Sequence, residues 1–417
     1  MSGTGPRKDW FSFMSDRFVV DRKPLDGVTL IELVSSIGPE SFGLGYAALN
    51  LAAALERTGV NVFLVSMDEE KDVYEACEDA GFPREKVVLG SPIGPPRLRL
   101  SPFLVHRLLR IPNDGRLILH LHGLWTYVSH VTRVLRRRWQ CPLVLSPHGS
   151  LEPYALTISP NKKAIASLLY ERRNIMTASC LWALSEQEKA SIRAYGFAGR
   201  VEVIPNGVSR AVVCSAEEVA DFRARHHVAS DNRVLLFLSR IAPKKNLPLL
   251  LKAFAKSVKT RPEWILLIAG SDEGGHIHEV RALIHDLRIE KSVRLIGAVF
   301  GKEKAYAFTS ASMFVLPSHS EGLPIAVLEA MEYGKPVLVT EGWTLPVTTC
   351  VKFGWRVSVE ERAFEAALLL AMSTSEFTLD EMGQSARSIV REQFSWDSIA
   401  KQAYSLYASL LNSDHKS

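Results

Sequence analysis

Cysteine is scarce in this 417-residue chain. Cys77, Cys141, Cys180, Cys214 and Cys350 lie far apart, their number is odd, and no C-x-x-C occurs. Neither a disulfide framework nor a zinc site is suggested, and a reducing compartment fits best. No apolar run reaches the ~18 residues that a membrane-spanning helix needs. The opening MSGTGPRKDWFSFMSDRF has no long apolar core and carries Asp9 and Asp16, which argues against a secretory signal. There is no D-x-D, no low-complexity segment and no short-period repeat. What is present is ordinary for a globular protein: 47% hydrophobic and 23% charged residues, which excludes a disordered chain. At about 150 residues per domain, two domains are expected.

The net charge of +5 sits in one half of the chain. Residues 1–200 hold 25 Lys+Arg and 20 Asp+Glu, and residues 97–200 alone hold 16 and 5, including Arg133, Arg136, Arg137 and Arg138. A cationic helix end facing solvent accounts for such a run. If the patch binds a partner, an anionic membrane surface is favoured over nucleic acid, since it has no zinc-finger, RRM or KH pattern.

Short apolar runs alternate with amphipathic ones. In the first half, expected strands are 28–36, 61–66, 117–123, 142–149, 181–185 and 201–207. Expected helices are 47–59, 126–138, 166–179 and 185–196, with a Gly-rich loop at 36–46 and an acidic, irregular stretch after residue 66. A second series starts at 233–240. It continues with strands 264–270, 292–297, 313–318 and 335–340, and with helices 246–259, 276–289, 302–311 and 322–334. Such alternation means parallel sheets covered on both faces. Two series joined near 206–232 mean two doubly wound, Rossmann-like α/β domains, with ligands beyond the carboxyl ends of the strands in the cleft between them.

Candidate site residues fall at those strand ends. Gly43 and Gly45 lie in the first loop, where glycine lets backbone amides approach a phosphate. Arg240, Lys244 and Lys245 in FLSRIAPKKN stand before a helix for which Asn246 is the expected N-cap and Pro248 a first-turn residue, the makings of an anion site. Glu321 and Glu329, eight residues apart on a helix, would be separated by ~12 Å. That exceeds the ~5–9.5 Å of the carboxylate pair in most glycoside hydrolases, so they should serve two parts of one elongated ligand. His148 ends a strand in LSPHGSLEPYAL and is placed to orient a substrate or act as acid or base. His120 and His122 in LHLHGLW are expected on opposite faces of a strand, with one towards the cleft, and Trp125 offers a stacking platform for a sugar. No metal site is expected there, because no acidic partner is nearby in sequence.

Together these motifs resemble the glycosyltransferase family 4 enzymes, retaining nucleotide-sugar-dependent transferases of GT-B architecture, over about residues 28–411. SEGLPIAVLEAMEYGKPVLVT is similar to that family's E-x7-E helix, with Glu321 and Glu329 as its acids. Arg240 and Lys245 match its diphosphate-binding pair, VIPNGV (203–208) its hinge, and FSWDSIAKQAYSLYASLL (394–411) its last helices, which cross back onto the first domain. HLHGLW, SPHGSLEPYAL, LYERRN and LSEQEKASIRAYGF resemble a bacterial polysaccharide-assembly subset. The resemblance implies an acceptor-side domain at 28–205 completed by the helix near 395–411, and a donor domain at 206–394; the leader at 1–27 has no counterpart in the family and no assigned role.

The same resemblance implies roles. Arg240 and Lys245 hold the diphosphate, and Gly43 and Gly45 close on it. Glu329 binds the ribose, while Glu321 with the amides of Gly322 and Leu323 holds the donor sugar. Val299, in the stretch 297–300, lines the base pocket. His148 contacts the transferred sugar, and His122 and Trp125 face the acceptor. No cofactor or metal is required beyond a UDP- or GDP-sugar co-substrate. The expected partners are that nucleotide sugar, a glycan or lipid-linked acceptor and an anionic membrane, but no nucleic acid. The expected location is cytoplasmic, peripheral on the membrane face. The segment 341–358 lacks the Gly-Gly-x-x-Glu of many members, which motivates the alternative of a non-catalytic sugar or nucleotide binder on a decayed GT-B fold. A nucleotide-sugar epimerase of the same architecture would need further cleft carboxylates.

Overall fold

The computed structural model describes residues 24–38, 42–93, 100–113, 115–319, 321, 324–341 and 352–414. Residues 1–23, Gly322, Leu323 and 342–351 lie outside them, so the expectations for the leader, for those two amides and for most of the atypical segment rest on the sequence alone.

Two wholly parallel sheets form the frame. The first contains β1 (Thr29–Leu33), β2 (Asn61–Ser66), β3 (Val87–Leu89), β4 (Leu117–His122), β5 (Leu143–Ser146), β6 (Cys180–Ala183) and β7 (Val201–Val203), in the order β3-β2-β1-β4-β5-β6-β7. The second contains β8 (Arg233–Leu238), β9 (Trp264–Ala269), β10 (Val293–Gly297), β11 (Met313–Leu316), β12 (Val337–Thr340) and β13 (Gly354–Val357), in the order β10-β9-β8-β11-β12-β13. In both sheets the order reverses beside the first strand, at β1/β4 and at β8/β11. A crevice opens at the carboxyl ends of the strands flanking such a reversal. Central strands such as LILHLH of β4 and WILLIA of β9 are buried along their whole length, as expected of strands covered on both faces.

The acidic stretch expected to be irregular holds the helix Glu70–Ala80. Glu70 and Asp72 occupy its first turn, where carboxylates suit the positive helix end, and Val73 and Cys77 give it a buried face. Sequence periodicity also misses the edge strands β3 and β13, each too short to show a repeat.

The chain crosses between lobes twice. It leaves the first lobe at residues 204–208 and returns at 394–396, where Val208 pairs with Ser395 in a parallel bridge and donates its N–H to the Phe394 carbonyl at 2.8 Å. The last helix, Trp396–Asp414, buries Trp396, Ile399, Ala403, Leu406, Tyr407 and Leu410 in the core of the first lobe. Gly207 permits the crossing, because a Cβ there would lie 2.5 Å from the Trp396 ring.

Candidate active site

On the second lobe, three cations meet three carboxylates. Arg240 follows β8, and its Nη1 lies 2.8 Å from Oε2 of Glu273; both side chains are more than half exposed. Lys245 is largely buried, and its Nζ lies 2.5 Å from Oε1 of Glu321, which follows β11. Lys304, on the helix Gly301–Ser310, places Nζ 2.7 Å from Oε1 of Glu329. Burial alone would lower the Lys304 pKa, but the Glu329 carboxylate outweighs it and raises it. Arg240, Lys245 and Glu321 therefore flank the β8/β11 reversal. Asn246 stands at the N-cap of the helix Leu247–Ser257, with Pro at the first turn. Its side chain makes no capping bond, because the residue is in the left-handed region at φ 54°. Of the first-turn amides, Pro248 offers no N–H and that of Leu249 donates to the Asn246 carbonyl at 3.1 Å, so Lys245 is the group of this turn that suits an anion.

Glu321 precedes the helix Ile325–Glu332 rather than starting it, whereas Glu329 lies inside it. Val299 is half-buried just beyond β10. Lys304 and Glu273 escaped sequence reading: each sits in a charged surface-like run, and only the fold brings it to its partner.

The first lobe contributes the helix Phe42–Arg57, which starts earlier than its spacing suggested. Gly43 and Gly45 therefore occupy the first helical turn, not a free loop. A Cβ on Gly43 would lie 3.3 Å from Cδ1 of Ile325, so the lobes meet there. One turn on, Tyr46 Oη donates to Oγ of Ser209 at 2.7 Å. Burial, then the nearby Glu329 charge, raise its pKa.

At the β1/β4 reversal lies a buried polar cluster. His120 and His122 share a face, contrary to expectation, because residues two apart on a pleated strand point the same way. Their rings are 4.0 Å apart. Both meet Glu32 of β1: His122 Nε2 lies 2.6 Å and His120 Nδ1 3.0 Å from its Oε2. Glu32 is thus the acidic partner that separation in sequence hid, and one side-chain N or O atom from each of the three residues lies within 4.8 Å of the others. Tyr407 Oη approaches His120 Nδ1 at 2.8 Å and Ser146 Oγ approaches His120 Nε2 at 2.8 Å. His122 Nδ1 lies 3.0 Å from His148 Nε2. His122 is thus enclosed between Glu32 and His148 and is only 3% exposed; it does not present itself to an acceptor as expected. His148 is half-buried, with φ at 50°. The following Gly149 donates its N–H to Oε1 of buried Glu188 at 2.6 Å.

Burial would raise the Glu32 pKa, but the two imidazoles hold it down at about 2. Burial, then the His120 charge, push His122 down to about 4. Burial also holds His148 well below its ordinary value. At neutral pH Glu32 is therefore ionised and His122 and His148 are neutral. The missed signal was the lone acid in the apolar strand TLIEL.

Trp125 is half-buried and its backbone N–H donates to Oε2 of Glu171 at 2.6 Å. Burial pushes the Glu171 carboxyl up to about 7. Nearby, Ile158, Ile165, Leu168 and Leu169 are exposed. They share the segment 158–173 with Lys162, Lys163, Arg172 and Arg173. Arg133 donates to the Leu169 carbonyl of this segment and Arg136 to the Thr177 hydroxyl just after it, while Arg137 and Arg138 are exposed. Among the described residues no helix is long and apolar enough to cross a membrane.

Two doubly wound lobes, each built on a wholly parallel sheet, have the architecture of the GT-B class of transferase. A family model described as "Glycosyl transferases group 1" matches residues 218–388, and one described as "Glycosyl transferase 4-like domain" matches residues 42–207. The chain belongs to the glycosyltransferase family 4 enzymes: it is a glycosyltransferase that uses a nucleotide sugar. A D-inositol 3-phosphate glycosyltransferase of Kineococcus radiotolerans is 27% identical over 316 residues, 71% of this chain and 72% of that one. Among solved structures, Anabaena HepE in complex with UDP and glucose superposes with a TM-score of 0.68 at 19% identity, covering 92% of this chain and 99% of the other. TarM of S. aureus, in complex with fondaparinux, alpha-GlcNAc-glycerol and UDP, gives 0.66 at 11% identity, covering 91% and 99%.

Proposed function

We propose that the chain transfers a sugar, with retention of anomeric configuration, from a nucleotide-diphosphate sugar to a hydroxyl of a glycan or lipid-linked acceptor in surface polysaccharide assembly. The observation that carries the reading is the largely buried Lys245–Glu321 pair, with Arg240, at the β8/β11 reversal. Arg240 and Lys245 grip the diphosphate and stabilise the negative charge that grows on the leaving group. Their carboxylate partners keep these cations neutralised until the ligand arrives. Glu329, with Oε1 held by Lys304, offers Oε2 to the ribose diol. The Gly43 turn, already at the lobe seam, closes over the phosphate. Glu321, with Gly322 and Leu323, holds the donor sugar, and His148 contacts it near the reacting carbon. In such chemistry the acceptor hydroxyl attacks from the face the leaving phosphate vacates, and the phosphate takes its proton, so no protein nucleophile is needed. UDP is the favoured carrier, since HepE and TarM were both crystallised with it.

Exposed Ile165, Leu168 and Leu169 among four cations of the same segment suit the surface of an anionic bilayer. They support a peripheral location on the cytoplasmic membrane face and a lipid-linked acceptor. The test is calorimetric titration with UDP, GDP and their sugars, followed by donor hydrolysis and transfer assays. Binding of at least one donor, weakened by Glu329→Ala, is expected, and failure of every donor to bind refutes the assignment. Sedimentation with anionic vesicles should fall on Leu168→Asp and on raising the salt.

A further inference from the structure

We propose that Glu32 is a positioning residue: through His122 it fixes the His148 ring as the Nε2–H tautomer and so reserves Nδ1 of His148 as a hydrogen-bond acceptor for the reacting sugar. The inference deepens the reading above and rests on its assignment of His148 to the sugar.

The argument is a proton count along one line of atoms. An ionised carboxylate can only accept. His122 Nε2, 2.6 Å from Glu32 Oε2, must therefore carry the His122 proton. A neutral imidazole has one proton, so His122 Nδ1 is an acceptor. His148 Nε2, 3.0 Å from that Nδ1, must in turn donate. His148 is then left with an unprotonated Nδ1, and among the described residues that nitrogen has no hydrogen-bond partner. The low pKa values of both rings agree with their neutral state. The frame is rigid. Glu32 and His120 are register partners across β1 and β4, and His122 and Ser146 are partners across β4 and β5. Tyr407 closes the cluster from the last helix, and Glu188 pins the backbone after His148. An acceptor nitrogen suits a sugar hydroxyl that must donate, and it excludes an imidazolium that would stand against the cationic donor site.

The experiment is nitrogen–proton correlation NMR of the histidine rings in the full chain, with steady-state transfer kinetics. In the wild type, His122 and His148 should each show a protonated Nε2 and an unprotonated Nδ1. Glu32→Gln supplies both a donor and an acceptor, so it should release the fixed sense. His148 should then populate the Nδ1–H form, and kcat should fall about 10–100-fold with little change in KM for the donor. His122→Gln retains an acceptor for His148 and a donor for Glu32, so it should keep the His148 tautomer and much of the activity, whereas His122→Leu should lose both. A wild-type His148 protonated on Nδ1, or a His122 Nε2 without a proton as cation ligation by this cluster would require, overturns the proposal. So does an unchanged His148 spectrum in Glu32→Gln. Unchanged turnover in His148→Ala would instead overturn the underlying assignment of that ring to the sugar.

Discussion

Arg240 and Lys245 should respond differently to the same truncation, because the structure holds their charges in different media. The Lys245–Glu321 pair is 11% and 12% exposed, whereas Arg240 and Glu273 are 56% and 52% exposed. Removing one partner of a fully buried pair costs about 3–5 kcal/mol, mostly from the stranded charge. Glu321 keeps some contact with water, so Lys245→Ala should cost about 2 kcal/mol of stability. Arg240→Ala should cost no more than about 1 kcal/mol, the range of exposed pairs. For nucleotide binding the two should instead look alike. Each loses a charge-assisted hydrogen bond to phosphate of about 1.5–3 kcal/mol, a roughly 10- to 150-fold weaker Kd for UDP. The double variant Lys245→Met/Glu321→Gln separates the effects: it strands no charge, so stability should return while affinity does not. Urea midpoints and calorimetric titration read both quantities on the same samples. Equal destabilisation by the two single variants would refute the burial argument. A double variant that binds UDP as tightly as wild type would refute the placing of the diphosphate at Lys245.

Lys304→Met should leave Glu329, 12% exposed, as an unpaired carboxylate and cost about 2 kcal/mol of stability, which the second change Glu329→Gln should restore; a wild-type urea midpoint in the single variant would count against it. Gly207→Ala sets a methyl 2.5 Å from the Trp396 ring, so it should cost about 1–3 kcal/mol and shift the scattering profile of the free protein by moving the crossing; a wild-type melting curve would contradict this. The Glu171 carboxyl, at about 7 against an ordinary 4.5, binds more protons folded than unfolded between those values, so it makes stability fall as pH rises through 4.5–7. His122, at about 4 against 6.5, does the reverse, and stability falls as pH drops through 6.5–4. The two slopes oppose one another in the wild type. Glu171→Gln removes the first and should be more stable than wild type above pH 7, by up to about 3 kcal/mol, with the advantage gone below pH 4.5; denaturant melts across pH 4–8 decide it.

What the sequence displayed and what it hid follow from one distinction. Periodicity reports how a segment meets its own immediate surroundings, so β2 at Asn61–Ser66 and β9 at Trp264–Ala269 were legible from VFLV and ILLI alone. Short edge strands such as β3 and β13 meet little, and they left no pattern. Strand ends are equally local, which is why Arg240 and His148 could be placed just beyond β8 and β5 from the sequence. Partners are not local. Glu32 and Tyr407 are separated by 375 positions, and no spacing rule joins them. One clue was still there to use: an acid in the middle of TLIEL cannot stay ionised in a covered parallel strand without a hydrogen-bonding partner, and His120 and His122 were the imidazoles on another apolar strand of the same series. Reading each buried polar residue as a demand for a partner, rather than as an exception to the apolar pattern, would have predicted the cluster. It would also have corrected the supposed opposition of the two histidines, since a shared partner requires a shared face.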